Sequence, residues 1–389
     1  MDISRAANVT TIAGELTVRL EPEGRRIRKV TVRSTRPVVA ARVVNGRTPA
    51  AAAAMIPALF GICAQAQGAA AAAALAAAEG RACSPGTSAA LADAVRLEAV
   101  QEYLWRVLLD WPRAMGRAPV ADALAAARRR IAAVLARPAA ERMAAAERSA
   151  VAASISAIAT SHVYGMAPAD WLAQPDAAAL GAWARDGRTL PAALLAELMD
   201  GAPRLGASDV PLMPRASCAS LRSDIVPELD RGNGFAGTPT WAGVPVETGA
   251  LARRRSHPLV SAVARADGHS VATRMVARLV ELALLIEGQD GAADTSAWVE
   301  GLTLGEGDGL AAVQTARGLL LHRARLAGGR VADYQIVAPT EWNFHPDGAL
   351  ARGLLGIEAR DDAGFVRSAQ LVVQALDPCV ACRVEVGHA

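Results

Sequence analysis

The chemistry open to this sequence rests on three cysteines. Cys379 and Cys382 stand at C-x-x-C spacing in "DPCVACRVEVGHA", the last thirteen residues of a 389-residue chain with only five cysteines. That spacing puts two thiolates on one side of a turn. They could share a metal, cycle as a redox pair, or be neighbours by accident. A zinc site would want a second close pair, and Cys63, Cys83 and Cys218 are widely separated. Cys63 lies in "LFGICAQAQ", within an uncharged helical stretch where a lone cysteine ordinarily packs as a small hydrophobe.

The elements that must position these residues follow from periodicity. Residues 14–44 alternate around "EPEGRR" and predict an N-terminal β-hairpin. Helical spacing dominates from about 49 to 200. It includes "SAALADAVRLEAVQEYLWRVLLDWP" and "ADALAAARRRIAAVLA", the latter with its arginines on the wet side. Residues 201–245, rich in Pro, Gly and Ser, read as a long irregular connection. "GHSVATRMVARLVELALLIEG" is a further helix, within a stretch at about 265–290. "ARGLLLHRARLAGGRVADYQIVAPT" reads as strand, Gly-Gly turn, strand, a hairpin at about 316–338. Short helices are expected in "DGALARGLLG" and in "FVRSAQLVVQAL", the latter opening a terminal segment, 366–389, that carries the cysteines. The class is α+β, mainly helical, read as a single domain over 1–389.

Composition excludes several classes. Hydrophobic residues make up 52% of the chain and charged ones 20%, so a large core can be buried. The net charge is +3 and both signs are interspersed, which is no nucleic-acid footprint. Odd, scattered cysteines argue against a disulfide framework and for a reducing, cytoplasmic setting. The first residues carry charge early and lack the apolar core of a secretion signal. Residues 49–78 hold no charge and are long enough to span a bilayer. Alanine drives insertion weakly, however, and Pro57, Gln65 and Gln67 interrupt the run, so a helix buried in a soluble core is expected, without membrane insertion. No dinucleotide, P-loop, nucleophile-elbow or zinc-protease motif occurs.

Read together, "FGIC" near residue 60 and "DPCVAC" at the end resemble the two metal-binding motifs of the nickel–iron hydrogenase large subunit, R-x-C-G-x-C and D-P-C-x-x-C-x-x-H. "NGRTPAAAAAMIPALFGIC", "LEAVQEYLWRVLLDWP" and "TARGLLLHRARLAGGRVADYQIVAPTEWNFHP" extend the similarity over nearly the whole chain, most weakly across 120–240. The resemblance implies that family's fold, a central helix bundle with peripheral β-hairpins. In the family, the first cysteine of each pair is terminal to nickel. The second bridges nickel and an iron carrying cyanide and carbonyl. By resemblance, Cys63 and Cys382 keep the bridging places and Cys379 keeps a terminal one. Phe60 stands where the fourth thiolate would be. Nickel in such a site wants four thiolates, so iron is the metal this set suits and nickel is disfavoured. Arg317 takes the place of the arginine beside the metals, and Pro339 and Thr340 match the segment around the cyanides. A guanidinium and a hydroxyl are the donors a bound cyanide needs. Outside this context Arg317 is an ordinary hairpin arginine, and Ala316 replaces the family's proline.

Other family features are altered. Glu385 stands at the histidine after which the family's C-terminal extension is cut, and seven residues follow Cys382. His388 comes three residues late and reads as a tail residue. Glu21 is a relic of the family's proton-transfer glutamate or, equally, a solvated turn carboxylate, since Pro22-Glu23 interrupts the motif. Cys83 and Cys218 match no ligand position. His257, His269 and His345 have no partner that sequence can identify. Such a degenerate relative is similar to the HupK-type hydrogenase expression/formation proteins, and this implies assembly rather than turnover. The cargo would be an iron–cyanide–carbonyl fragment, and the partners maturation proteins and the true large subunit. A metal-free chaperone, a working hydrogenase, and a plain zinc or thiol-redox role are the alternatives.

Overall fold

The computed structural model describes residues 14–35, 39–81, 85–137, 145–232, 234–288 and 297–387. Strand β1 (Glu15–Glu23) turns at Gly24, whose positive φ suits the bend, into the antiparallel β2 (Arg26–Ser34). Leu16, Val18 and Leu20 point into the core, while Thr17, Arg19 and Glu21 lie on the other face. The hairpin is shorter than the sequence predicts. Residues Val39–Val44 form a helix, and Val44 is buried beside the alanine-rich helix described next, so packing overrides the strand preference of its valines.

The uncharged stretch 49–78 is broken rather than continuous. Thr48 caps Pro49–Met55, a tight turn follows at Ile56–Leu59, and irregular chain through Cys63 leads into α1 (Ala64–Ala78). Eleven of the fifteen residues of α1 are buried. One flank lies on a four-stranded antiparallel meander: β3 (Val299–Gly305), β4 (Asp308–Thr315), β5 (Gly318–Ala327) and β6 (Arg330–Val337). The other meets α2 (Pro85–Trp105). Alanine is what allows this close approach. No helix among the described residues is long and apolar enough to cross a membrane.

The predicted Gly-Gly hairpin is β5–β6, with Gly328 and Gly329 both at positive φ. β3 and β4 enlarge it to a sheet that the sequence reading missed. β4 and β5 are buried on both faces, so they lack the alternation that marks a half-exposed strand. Residues 210–246 cover the face opposite α1 through Met213, Leu221, Ile225, Leu229, Phe235 and Trp241. This stretch is not wholly irregular: helical turns run through 218–231, entered by a Ser217–Ser220 capping box.

Helix α3 (Val271–Ile286) has thirteen of sixteen residues buried, including Arg274, Arg278 and Glu281. The short α4 (Pro339–Asn343) follows β6, and α5 (Asp362–Leu376) is capped by Asp361. The chain then pairs its last strand, β7 (Ala381–Val386), in parallel with β1, Leu16 opposite Cys382. The ends of the chain thus share one sheet, ordered β2-β1-β7. The architecture is α+β and mainly helical, as the sequence implies.

The seam between α1 and the sheet tolerates no side chain at Gly309. A Cβ there would stand 2.3 Å from both Ala74 O and Ala78 N, backbone atoms that cannot rotate away. Gly309→Ala is expected to destabilise the fold by about 1–3 kcal/mol or more through overpacking. Thermal unfolding measures this, and an unchanged Tm would contradict the packing described.

Candidate metal centre

Arg317 occupies the two-residue turn between β4 and β5, where Thr315 pairs with Gly318. Its backbone is fixed from several sides. Its N–H donates to Thr315 Oγ1 at 3.1 Å, and its carbonyl accepts from Asn343 Nδ2 at 3.2 Å. A Cβ on Gly318 would collide with Thr248 Cγ2 at 2.2 Å, so only glycine fits behind the arginine. Tyr103 and Arg253 brace the same turn: the Tyr103 hydroxyl stands 3.0 Å from Ala316 O, and Arg253 Nη2 donates to Thr315 O at 2.9 Å. Glu281 accepts from Arg253 through both oxygens at 2.7 Å.

The Arg317 side chain is buried. Its Nη2 donates to Glu102 at 2.7 Å, and its Nε lies 3.3 Å from Asp377 Oδ1. Burial opposes its charge. Asp377 and Glu102 more than offset this, with Cys379 and Cys63 acting in the same sense, so it is held firmly cationic.

Asp377 ends α5 in a left-handed conformation, φ 57°, rare for a residue with a side chain. Its carboxylate faces Arg106 Nε at 2.7 Å, Arg317 at 3.3 Å and Arg278 Nη2 at 3.9 Å. Burial would raise its pKa, but these three cations hold it below the ordinary carboxylate range. Arg278 also donates to the carbonyls of Gln374 and Ala375, at 3.1 and 2.7 Å, neutralising the C-terminal end of α5. The charged groups come from two helical stripes: Glu98, Glu102 and Arg106 on α2 and the turn after it, and Arg274, Arg278 and Glu281 on α3. Their spacing is visible in the sequence, but what faces them is not.

Cys63 is the N-cap residue of α1 and makes no side-chain capping bond. Glu98 reaches across from α2 instead, accepting from Gln65 N at 2.8 Å and Ala66 N at 3.0 Å. Cys379 stands two residues beyond Asp377. Its N–H donates to Thr340 Oγ1 at 3.2 Å, and its sulfur is 3.0 Å from the same hydroxyl. Pro339 opens α4 and is buried next to Thr340. Cys382 lies apart in β7, packed against the main hydrophobic core. Burial, with Glu15 nearby, pushes its thiol up to about 12. Among the described residues, no three His, Cys, Asp or Glu side chains stand close enough to hold a metal.

The remaining candidates fall elsewhere. Phe60 is partly buried against the alanine-rich cluster. Glu21 is on the outer face of β1, bonded to Lys29 at 3.1 Å. Glu385 is exposed on β7, within 4.0 Å of Arg383. Cys218 lies beside Glu300, whose hydrogen bond raises its pKa. His345 Nδ1 accepts from Asp347 N at 3.0 Å, His257 precedes the helix Pro258–Asp267, and His269 bridges to Ser208. Cys83 and His388 lie outside the described residues.

Residues 230–385 match the nickel-dependent hydrogenase family. The chain is 35% identical to the hydrogenase expression/formation protein HoxV of Cupriavidus necator, over 90% of this chain and 91% of that one. It is 34% identical to HupK of Azotobacter vinelandii, over 97% of this chain and all of that one. This chain belongs to the HupK/HoxV family of hydrogenase expression/formation proteins. Its fold is that of the hydrogenase large subunit: it superposes on a chain of the NiFeSe hydrogenase of Desulfovibrio vulgaris Hildenborough with a TM-score of 0.63. That match has 15% identity and covers 92% of this chain and 96% of the other.

The cap that Glu98 provides predicts a pH signature. Burial is the largest influence on this carboxyl and raises it from 4.5 to about 7, against the two backbone N–H bonds. Between these values the folded protein keeps a proton that the unfolded chain has lost. Stability therefore falls as pH rises through this window, by about 3 kcal/mol from this group. Glu98→Gln should remove that increment from denaturant-unfolding free energies measured at pH 4.5 and pH 8. An unchanged pH dependence would contradict the assignment.

Proposed function

We propose that this protein is an assembly factor for a nickel–iron hydrogenase, and that it holds the iron–cyanide–carbonyl fragment as cargo before the fragment enters the large subunit. The observation that carries the reading is the shared cation. Arg317 is buried and paired with Asp377, two residues before Cys379, and with Glu102, one helical turn along α2 from the Glu98 that caps the helix starting after Cys63. Cyanide on iron is anionic, and a dry cationic wall stabilises it. Glu102 and Asp377 hold Arg317 in place, and the Thr340 hydroxyl beside Cys379 supplies a second donor. Cys63 and Cys382, in the bridging places, would engage the iron, Cys382 giving up its proton on binding, with Cys379 beside them as a third sulfur. Nickel lacks its fourth thiolate because Phe60 fills that position, so the fragment stays iron-only and transferable. The family names of HoxV and HupK support an accessory role over hydrogen turnover. Maturation proteins and the large subunit are the partners this role requires.

A second reading is favoured by the separate packing of Cys382 and the lack of a compact ligand cluster among the described residues. In it the protein is a metal-free chaperone that presents a large-subunit surface to maturation partners. Anaerobic purification from cells expressing the maturation genes separates the two. The cargo reading expects cyanide and carbonyl infrared bands, with iron present, nickel absent, and the bands lost in Cys63→Ala. Protein that binds its partners but shows neither bands nor iron would favour the chaperone.

A further inference from the structure

One buried polar chain has no part in the ion-pair network. Gln67 on α1, His322 on β5 and Tyr334 on β6 are 2%, 0% and 1% exposed, in a wall otherwise built of Ala71, Ala74, Ala311, Ala324 and Val331. Three polar side chains in such a wall are costly unless they satisfy one another. They do so in sequence. Tyr334 Oη is 2.8 Å from His322 Nδ1, His322 Nε2 is 2.9 Å from Gln67 Oε1, and Gln67 Nε2 is 3.9 Å from Cys63 Sγ.

The chemistry of each group fixes the direction. Burial lowers the His322 pKa to about 3, so the ring is neutral and carries a single N–H. Gln67 Oε1 only accepts, so the proton sits on Nε2. Nδ1 must then accept, and the Tyr334 hydroxyl is its donor. The amide that receives at one end donates from the other, toward sulfur. Each bond polarises the next.

We infer that Tyr334, His322 and Gln67 form a one-way relay of hydrogen bonds whose last N–H is delivered to the sulfur of Cys63, orienting it and withdrawing electron density from it. The inference deepens the cargo reading and rests on Cys63 as a ligand. A sulfur that accepts a hydrogen bond donates less charge to a bound iron, and the iron then donates less to its carbonyl. The relay would thus make Cys63 a ligand that holds the fragment in a defined orientation and releases it readily. All three are positioning residues, since only Cys63 touches the cargo.

Two measurements test this, one without cargo. In anaerobic, histidine-labelled metal-free protein, long-range proton–nitrogen correlation reads the His322 tautomer, identified as the signal that moves in Tyr334→Phe. The relay expects the proton on Nε2. A proton on Nδ1 would mean that Gln67 offers its carbonyl to Cys63, and would overturn the inference. In cargo-loaded protein, Gln67→Met and Tyr334→Phe should each shift the carbonyl stretch to lower frequency, Gln67→Met the further. Tyr334→Phe keeps the edge-on ring contact with His322, centroids 5.5 Å apart, so a purely packing role predicts no shift. Bands that do not move would overturn the relay's action on the sulfur. Wild-type protein without any carbonyl band would instead contradict the cargo reading, while the tautomer still decides the direction of the relay.

Discussion

A guanidinium in a protein interior must be given counter-charges, and at Arg317 that requirement organises much of this molecule. Glu102 reaches it from α2, and Asp377 reaches it from the end of α5. Asp377 in turn needs Arg106 and Arg278, and Arg278 draws in the carbonyls that end α5. Removing one partner from a buried set like this leaves a charge uncompensated, which costs far more than the net worth of a pair. The two segments that carry Cys63 and Cys379 are therefore tied to one electrostatic centre, although they lie more than three hundred residues apart in the chain.

Around that centre, packing is set by what is missing from side chains as much as by what is present. The alanines of α1 and the glycines at 301 and 309 let a helix backbone rest on a sheet backbone. This brings the start of α1 up to α2, where Glu98 replaces the cap that Cys63 does not provide. At the other end of the chain, β7 zips onto β1 and draws Cys382 into a strand, where its half-buried thiol favours the protonated form. The C-x-x-C spacing that looked like one unit is thus divided between a turn held by Thr340 and a strand held by backbone pairing.

Much of this was legible in the residues. The β5–β6 hairpin announced itself through Gly328-Gly329, and α3 and α5 through their apolar spacing. Phe60 departs from the resembled motif at a single position. The rest was hidden for physical reasons. β4 is buried on both faces and carries no alternation. β7 is six residues long and owes its existence to β1, at the other end of the chain. Val39–Val44 prefers extended backbone locally and is helical through packing. The stripes Glu98–Glu102–Arg106 and Arg274–Arg278–Glu281 resemble wet helix faces until their partners from other segments, Arg317, Asp377, Glu247 and Arg253, are in view. Glu21, matched by motif, faces outward because the parity of β1 puts its neighbours Leu20 and Val18 inside.

Large-subunit architecture, with a phenylalanine at position 60, is the setting for the iron cargo proposed above. The most direct test is iron-edge X-ray absorption on anaerobically loaded protein, compared between wild type and Cys63→Ala. Sulfur scatterers at iron together with linear diatomic ligands are expected, with fewer sulfurs in the variant. Iron surrounded only by nitrogen and oxygen, or a sulfur shell unchanged by Cys63→Ala, would contradict the iron cargo.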